Sequence, residues 1–430
     1  MTKINDNWLF TDDYTKGFEK AKEVRIPHNP SLLPLHYSSP DYYEMVSGYK
    51  KTIVLEEEDL DKRIFLLFEG VAHMATLYFN GKEIGTHYSG YTSFTYEVTE
   101  FIKKGENEIV LKVDGRESCN TPPFGFVIDY LTYSGIYRDV FLIKKNKSYI
   151  KDVFVSSPTL SSLRVEYDIE SESEYSIRYS VFDNDRVIIE GETKESSLSL
   201  SSLSVSPWSP SSPKLYTLLS SLLIKGEVID ENTTEFGFRT VETKGKDLYI
   251  NGEKVFLKGL NRHQAWPYIG YAAPERMQRM DARILKEELG CDIVRTSHYP
   301  QSRHFISECD RLGLLVFTEI PGWQHIGDKE WKEKAIINTK EMVLQYRNHP
   351  SVIIWGVRIN ESQDDDEFYK KTNETAHALD PTRPTSGVRY IENSSLLEDI
   401  YSYNDFSHTG NNSGVKEKGK ITKHQDKPLL

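Results

Sequence analysis

The hydrophobic period of this chain changes once, near Val241. Before that point, short runs alternate: Arg63-Ile-Phe-Leu-Leu-Phe-Glu69, Ala75-Thr-Leu-Tyr-Phe79, Ser93-Phe-Thr-Tyr-Glu-Val98 and Asn107-Glu-Ile-Val-Leu-Lys-Val113. Alternation sends every second side chain to one face, as a half-buried strand requires. Asn80-Gly81, after the second run, is a hairpin signal because both residues tolerate positive φ. Evenly spaced strands without a helix-length apolar stripe predict a β-sandwich, most simply a jelly roll. Leu163–Ile169, Tyr175–Phe182 and Arg186–Glu190 repeat the pattern in a shorter span. Serine crowds between Lys194 and Ser221, yet Leu198, Leu200, Leu203 and Val205 alternate, and Trp208 and Tyr216 offer anchors. A small immunoglobulin-like sandwich is therefore expected there rather than a linker.

After Val241 strands and helices alternate. Val255–Leu260 is apolar and nearly continuous, as in a strand buried on both faces. Pro274 stands near a helix start, Met277, Met280, Ile284, Leu285 and Leu289 form a stripe, and Gly290 stops it. Strand Asp292–Arg295, a helix over Ser302–Leu312 and strand Leu314–Phe317 follow. Next come a helix over Trp331–Tyr346, strand Val352–Val357 and a helix over Asp365–Leu379, then strands Pro384–Val388 and Asp399–Tyr403. This spacing means parallel β/α units, in an open sheet or a barrel. The first turn, Gly259-Leu-Asn-Arg-His-Gln264, has one glycine and several polar side chains, which disfavours a dinucleotide-binding sheet.

Composition narrows the partners. A chain of 430 residues exceeds what one core holds, so two or three domains are expected. The formal net charge of −12 and the lack of a clean basic patch argue against nucleic acid as a partner. The most basic run, Lys416–Lys423, sits among Asn, Ser and Gly like a solvated loop. No apolar run is long enough to cross a membrane, so no membrane partner is expected. Cys119, Cys291 and Cys309 are too far apart for a disulfide framework. Met1–Phe10 lacks the basic and apolar regions of a secretory signal. The expected compartment is the cytoplasm, or the periplasm or exterior if a leader was removed.

The residues directly after the apolar strands carry the chemistry. They are Asn261, Arg262 and His263; Arg295, Ser297, His298 and Tyr299; Glu319; and Asn360 and Glu361. In a (β/α)₈ barrel such positions share one pocket. Glu361, opening the fourth strand into that pocket, suits a general acid for a glycosidic oxygen. Asn360 can donate its amide to a substrate hydroxyl. His263, His298, Glu319, His325 and Glu361 could ligate a metal, but their spacing matches no compact ligand motif. No GxSxG elbow supports a serine hydrolase.

Several longer strings repeat a known pattern. The first stretch holds Leu77-Tyr-Phe-Asn-Gly-Lys82, Gly90-Tyr-Thr-Ser-Phe94 and Ser134-Gly-Ile-Tyr-Arg-Asp-Val140. The second holds Trp208-Ser-Pro210, Leu215-Tyr216 and Phe236-Gly-Phe-Arg239. The third holds Lys258-Gly-Leu-Asn-Arg-His263, Val294-Arg-Thr-Ser-His-Tyr-Pro300, Cys309-Asp-Arg-Leu-Gly313, Arg347-Asn-His-Pro-Ser351 and Asn360-Glu361. In this order they resemble glycoside hydrolase family 2, the β-galactosidases, β-glucuronidases and β-mannosidases. The resemblance implies a jelly-roll sugar-binding domain over 1–145 and an immunoglobulin-like β-sandwich over 146–241. Over 242–430 it implies the N-terminal part of a (β/α)₈ TIM barrel, left incomplete. It further implies hydrolysis of a small carbohydrate by double displacement, with Glu361 as acid/base and Asn360 binding substrate. Arg295, His298 and His263 would lie in the pocket, and Tyr403 matches a sixth-strand tyrosine that contacts the nucleophile. The full-length enzyme is expected to be a homo-oligomer.

Departures from the family pattern bear on substrate and metal. Asp129 stands shortly before Ser134-Gly135, where family β-galactosidases place an aspartate that binds galactose. Ala265-Trp266, however, replaces a pair of histidines. The expected substrate is a β-D-galactoside, with a β-glucuronide or another β-glycoside as the alternative and a non-catalytic carbohydrate-binding fragment as the rival class. Trp323 occupies the place of a magnesium-binding glutamate, although His325 is kept, so no cofactor is required and a magnesium site would be an impaired one. Trp323 could instead form an aromatic pocket wall. Finally, Asp426-Lys-Pro-Leu-Leu430 reads as the opening of a seventh strand. In the family such a string runs into the nucleophilic glutamate, so this chain by itself is expected to be inactive.

Overall fold

A computed structural model describes residues 1–34, 39, 42–407 and 415–430. Of the loop expected over Ser407–Gln425, residues 408–414 lie outside the described residues. The alternating runs of the first stretch build two facing sheets. One has six strands, in the order Lys22–Val24, Trp8–Thr11, Val46–Leu55, Gly105–Asp114, Met74–Phe79 and Lys82–His87. The other has four: Thr2–Lys3, Val140–Lys145, Arg63–Phe68 and Phe94–Glu97. Inward residues of both, including Leu66, Phe68, Leu77 and Leu111, form one core. Asn80 and Gly81 take φ of 49° and 78° and close the expected hairpin. A second sandwich pairs a three-stranded with a four-stranded sheet. The serine-rich segment supplies strand Ser197–Leu200, paired with Leu163–Glu166, while Leu203 and Val205 lie beyond the strand and still pack on the core.

The third region opens with a small antiparallel sheet (Val241–Lys244, Asp247–Ile250 and Glu253–Lys254), and the rest is one parallel sheet of six strands in sequence order. We label them β1 (Gly259–Asn261), β2 (Ile293–Thr296), β3 (Leu315–Glu319), β4 (Val352–Gly356), β5 (Thr385–Arg389) and β6 (Ile400–Tyr403). The connecting helices are α1 (Glu275–Arg283), α2 (Arg303–Leu312), α3 (Lys329–Tyr346) and α4 (Asp366–Leu379). Ser302, Asp328 and Asp365 cap α2, α3 and α4 by accepting a backbone N–H from the first turn, and Gly313 ends α2 at φ 69°. Every residue of β3, β4 and β5 is buried. The sheet order and the helices over it give a curled, incomplete (β/α)₈ barrel.

Two expectations about its first unit need correction. β1 is short and exposed rather than a doubly buried Val255–Leu260 strand, and Phe256 is 86% exposed. The cause is pairing: among the described residues β1 has β2 as its one neighbour, so its outer edge and face meet solvent. The apolar stripe expected over α1 and the turn after it holds only in part: Leu285 is buried and Met277 and Ile284 are half-buried, but Met280 and Leu289 are exposed. The buried face carries Gln278, Ala282 and Leu285, because Gln278 and Asp281 turn inward to hydrogen-bond the buried Arg262 guanidinium. The opposite edge is partly covered. Pro428–Leu430 lie parallel to β6, with Tyr401 N–H donating to Pro428 (3.0 Å) and Leu430 N–H to Tyr401 (2.9 Å), as the opening of a seventh strand would.

Both sandwiches lock onto this sheet. Arg138 of the first donates to Gln264 and to the Pro300 carbonyl, and Tyr91 stacks on Tyr299 at 4.4 Å. Trp208 and Arg239 of the second reach the Asp310, Pro350 and Val352 carbonyls. No helix is long and apolar enough to cross a membrane, among the described residues.

Candidate active site

The strand ends β2, β3 and β4 bring their polar side chains into one buried network. Arg295 donates from Nε to Glu319 Oε1 (2.8 Å) and from Nη2 to Asn360 Oδ1 (2.6 Å). His298 Nδ1 lies 2.9 Å from Glu319 Oε2 and 3.2 Å from Arg295 Nη2. A carboxylate only accepts, so the shorter contact puts the His298 proton on Nδ1. Burial works against the charge of Glu319, but Arg295 and His298 together hold its pKa below the usual range. Because Arg295 occupies the oxygen of Asn360, the amide N–H₂ of Asn360 is left to donate elsewhere.

Glu361 follows at the mouth of β4. Its backbone takes φ 55°, a left-handed conformation that bulky residues rarely adopt, and its N–H is anchored on Val388 of β5 (2.9 Å). Both carboxylate oxygens accept amide hydrogens. Asn404 Nδ2 donates to Oε1 at 2.6 Å, and Gln324 Nε2 to Oε2 at 3.2 Å. Asn404 and Gln324 were missed in the sequence. Asn404 lies one residue beyond the expected sixth strand, a position that could have signalled it, whereas nothing local distinguishes Gln324.

The other expected residues surround this network. The His263 ring sits 5.7 Å from that of His298, and burial lowers its pKa to about 4. Tyr403, Asn261, Arg295 and Asn404 line a cavity of about 250 Å³ between β1 and β6. Trp323 forms a backbone bridge with Asn360, and its indole Nε1 is buried without a partner. Asp129 arrives from the first sandwich on a loop crossing the barrel mouth. Desolvation raises its pKa against the pull of His298, and the charge of Glu361 adds to the rise. Tyr130, also missed, packs its ring against His263 (5.2 Å) and His298 (6.0 Å). Asp405 turns away, its carboxylate accepting the N–H groups of Ser407 and Lys416.

The chain matches three profiles of one family: "Glycosyl hydrolases family 2, sugar binding domain" over 27–146, "Glycosyl hydrolases family 2" over 148–239 and "Glycosyl hydrolases family 2, TIM barrel domain" over 241–430. It belongs to glycosyl hydrolase family 2. Similar family members include the β-galactosidase of Thermoanaerobacterium thermosulfurigenes, 44% identical over 97% of this chain and 62% of that protein. The β-galactosidase of Thermoanaerobacter pseudethanolicus is also 44% identical, over 94% of this chain and 58% of the relative. The chain thus spans about three-fifths of the length of these family members. Among solved structures, β-glucuronidase 3 of Bacteroides uniformis aligns with a TM-score of 0.83 at 26% identity, over 95% of this chain and 57% of that one.

The magnesium that the family pattern implies does not fit these residues. An indole N–H at Trp323 cannot ligate a cation, which removes one of the carboxylate ligands of that site. Elsewhere, Glu69, Asp139 and His304 have donor atoms within 4.8 Å of one another, the one such group among the described residues. Arg303 pairs with Glu69, and Lys3 (2.7 Å) and Asn5 (2.7 Å) hold Asp139. The negative charge an ion would need is therefore already matched between the first sandwich and α2.

Proposed function

We propose that this chain carries the acid/base side of a retaining β-glycosidase, with Glu361 as the general acid/base. The observation that supports this best is the convergence on Glu361 of Asn360, aimed by Arg295, with Asn404 and Gln324 fixing both carboxylate oxygens. In this reading Glu361 gives its proton to the glycosidic oxygen as the C1–O bond breaks and a second carboxylate bonds to C1. Glu361 then takes a proton from water, whose oxygen replaces that carboxylate. The free amide of Asn360 donates to a sugar hydroxyl, and His263, His298, Tyr403 and Trp323 shape the sugar site. The family resemblance implies that the nucleophile is the glutamate into which a string like Lys427-Pro-Leu-Leu430 runs; Glu319 is bound by Arg295 and His298, and Asp405 faces its own loop. The same reading divides the chain at 1–145, 146–241 and 242–430.

Two sugars compete. The solved β-glucuronidase neighbour supports a β-D-glucuronide. Asp129 and the two 44% identical β-galactosidases support a β-D-galactoside, since a carboxylate at the mouth accepts from sugar hydroxyls and repels a uronate. An aryl β-galactoside and aryl β-glucuronide panel on the full-length protein decides between them. Turnover there, lost with Glu361→Gln and absent from the 430-residue chain alone, supports the whole reading. Equal turnover by the short chain overturns the nucleophile assignment.

A further inference from the structure

We infer that the apolar tip Phe126–Val127, on the loop of the first sandwich that crosses the barrel mouth, forms the leaving-group subsite. The glycosides cleaved then carry an aromatic or alkyl aglycone rather than a second sugar. The inference rests on the acid/base role proposed for Glu361. Phe126 is 63% and Val127 72% exposed, although both flanks of the loop are pinned to the barrel. Upstream, Lys334 Nζ donates to the Asn120 carbonyl (2.6 Å), and Trp331 Nε1 to the Phe124 carbonyl (2.9 Å). Gly125, at φ 129°, presses so closely on His325 that a Cβ would stand 2.1 Å from Nε2. Downstream, Asp129 is within electrostatic reach of Glu361, His298 and Arg295, and the Leu131 carbonyl accepts from Tyr271 (3.0 Å).

Exposed apolar side chains side by side on a loop tethered at both flanks mark a contact surface. Its position identifies what it contacts. The oxygen that Glu361 protonates departs with the aglycone, so the aglycone lies on the Glu361 side of the scissile bond. Gln324, which touches Glu361 Oε2, is chain neighbour to the His325 that Gly125 covers. The tip therefore overhangs the path of the leaving group. Phe and Val side chains offer area to bury and no polar atom to satisfy hydroxyls, which selects an apolar ligand.

The test uses the full-length protein and methyl, naphthyl and glucosyl β-glycosides of whichever sugar it cleaves. The readout is kcat/KM for each, in the parent and in Phe126→Ser/Val127→Ser. Comparing ratios cancels the intrinsic reactivity of each leaving group. The naphthyl-to-methyl ratio is expected to fall roughly tenfold in the double variant, the loss of about 55 Å² of apolar contact, and to be kept by Phe126→Leu. An unchanged ratio, or an equal loss on the glucosyl substrate, overturns the inference while leaving the glycosidase reading intact. Hydrolysis of none of the three by the parent overturns both.

Discussion

The same strands end in two buried polar networks, one at each end of the sheet, and the two differ in what their polar atoms face. At the N-terminal end Asp380 pairs with Arg383 and accepts from Trp355 Nε1 (3.0 Å) and from the Thr382 N–H (3.0 Å) and hydroxyl (2.6 Å). Arg383 also donates to the Val352 and His349 carbonyls, and Asp310 accepts from the Ser351 N–H and from His349. The network rivets the second sandwich to the barrel through Trp208 and Arg239. At the C-terminal end Arg295, Glu319 and His298 are as tightly satisfied, but they leave the Asn360 amide free, and Arg295 together with Asn404, which holds Glu361, lines a cavity. Buried charge alone therefore does not mark a site. A satisfied network that ends in unspent hydrogen-bonding capacity at a cavity does.

The contrast fails most visibly if Glu361 is dispensable. Glu361→Gln in the full-length protein is expected to cut kcat/KM on alkyl glycosides by about 10²–10⁴-fold, the usual range for a positioned acid/base. The loss should shrink on aryl glycosides whose leaving groups need no proton. Uniform loss across the series would mean Glu361 acts otherwise.

At the other end, Asp380→Ala removes one partner of a fully buried pair and should cost about 3–5 kcal/mol of stability. Denaturant unfolding measures it, and turnover per folded molecule should hold. Lost turnover with normal stability would erase the distinction between the ends.

The third expectation concerns the support under the active-site loop. His73 is fully buried between Tyr91 and Phe124, and burial lowers its pKa to about 4. An unfolded histidine titrates near 6.5, so between pH 6.5 and 4 the unfolded chain binds the extra proton. Stability thus falls on acidification, by up to about 3 kcal/mol. His73→Phe should flatten that part of the pH–stability curve; an unchanged slope would assign the loss to other groups.

The smallest effect is on selectivity. Asp129→Asn is expected to raise the glucuronide-to-galactoside ratio of kcat/KM by about tenfold or less, as removal of one partly solvated charge allows. A fall in that ratio would mean that Asp129 does not repel a uronate.

Much of this was legible in the chain. Ser302, Asp328 and Asp365 mark helix starts by local chemistry alone, and Gly313 a helix end, because capping needs only the residue and its first turn. Arg295, His298, Asn360 and Glu361 were legible because each follows an apolar run, and a parallel barrel gathers such positions on one face. Asn404 follows β6 in the same way and was overlooked, whereas Gln324 was not legible, since its role arises from where the loop after β3 folds back over Glu361. Met280 misled for a related reason: helical periodicity names an apolar stripe, but the buried Arg262 decided which face turned inward.

By itself, then, the sequence determined the two grammars, antiparallel alternation and then parallel β/α units, since backbone period and side-chain polarity are local properties; the change falls later than Val241, because Val241–Lys254 still pair antiparallel. Only the tertiary structure decided which residues of distant segments share a pocket. Asp129 and Tyr130 lie more than 100 residues before His263 and His298, and their place at that pocket rests on the docking of the first sandwich through Arg138, Tyr91 and Trp331. Tertiary pairing likewise decided that the apolar run Val255–Leu260 is half-covered at most, with only its end paired in the exposed β1. A strand's burial depends on the neighbours that cover it, and no periodicity within the strand encodes them.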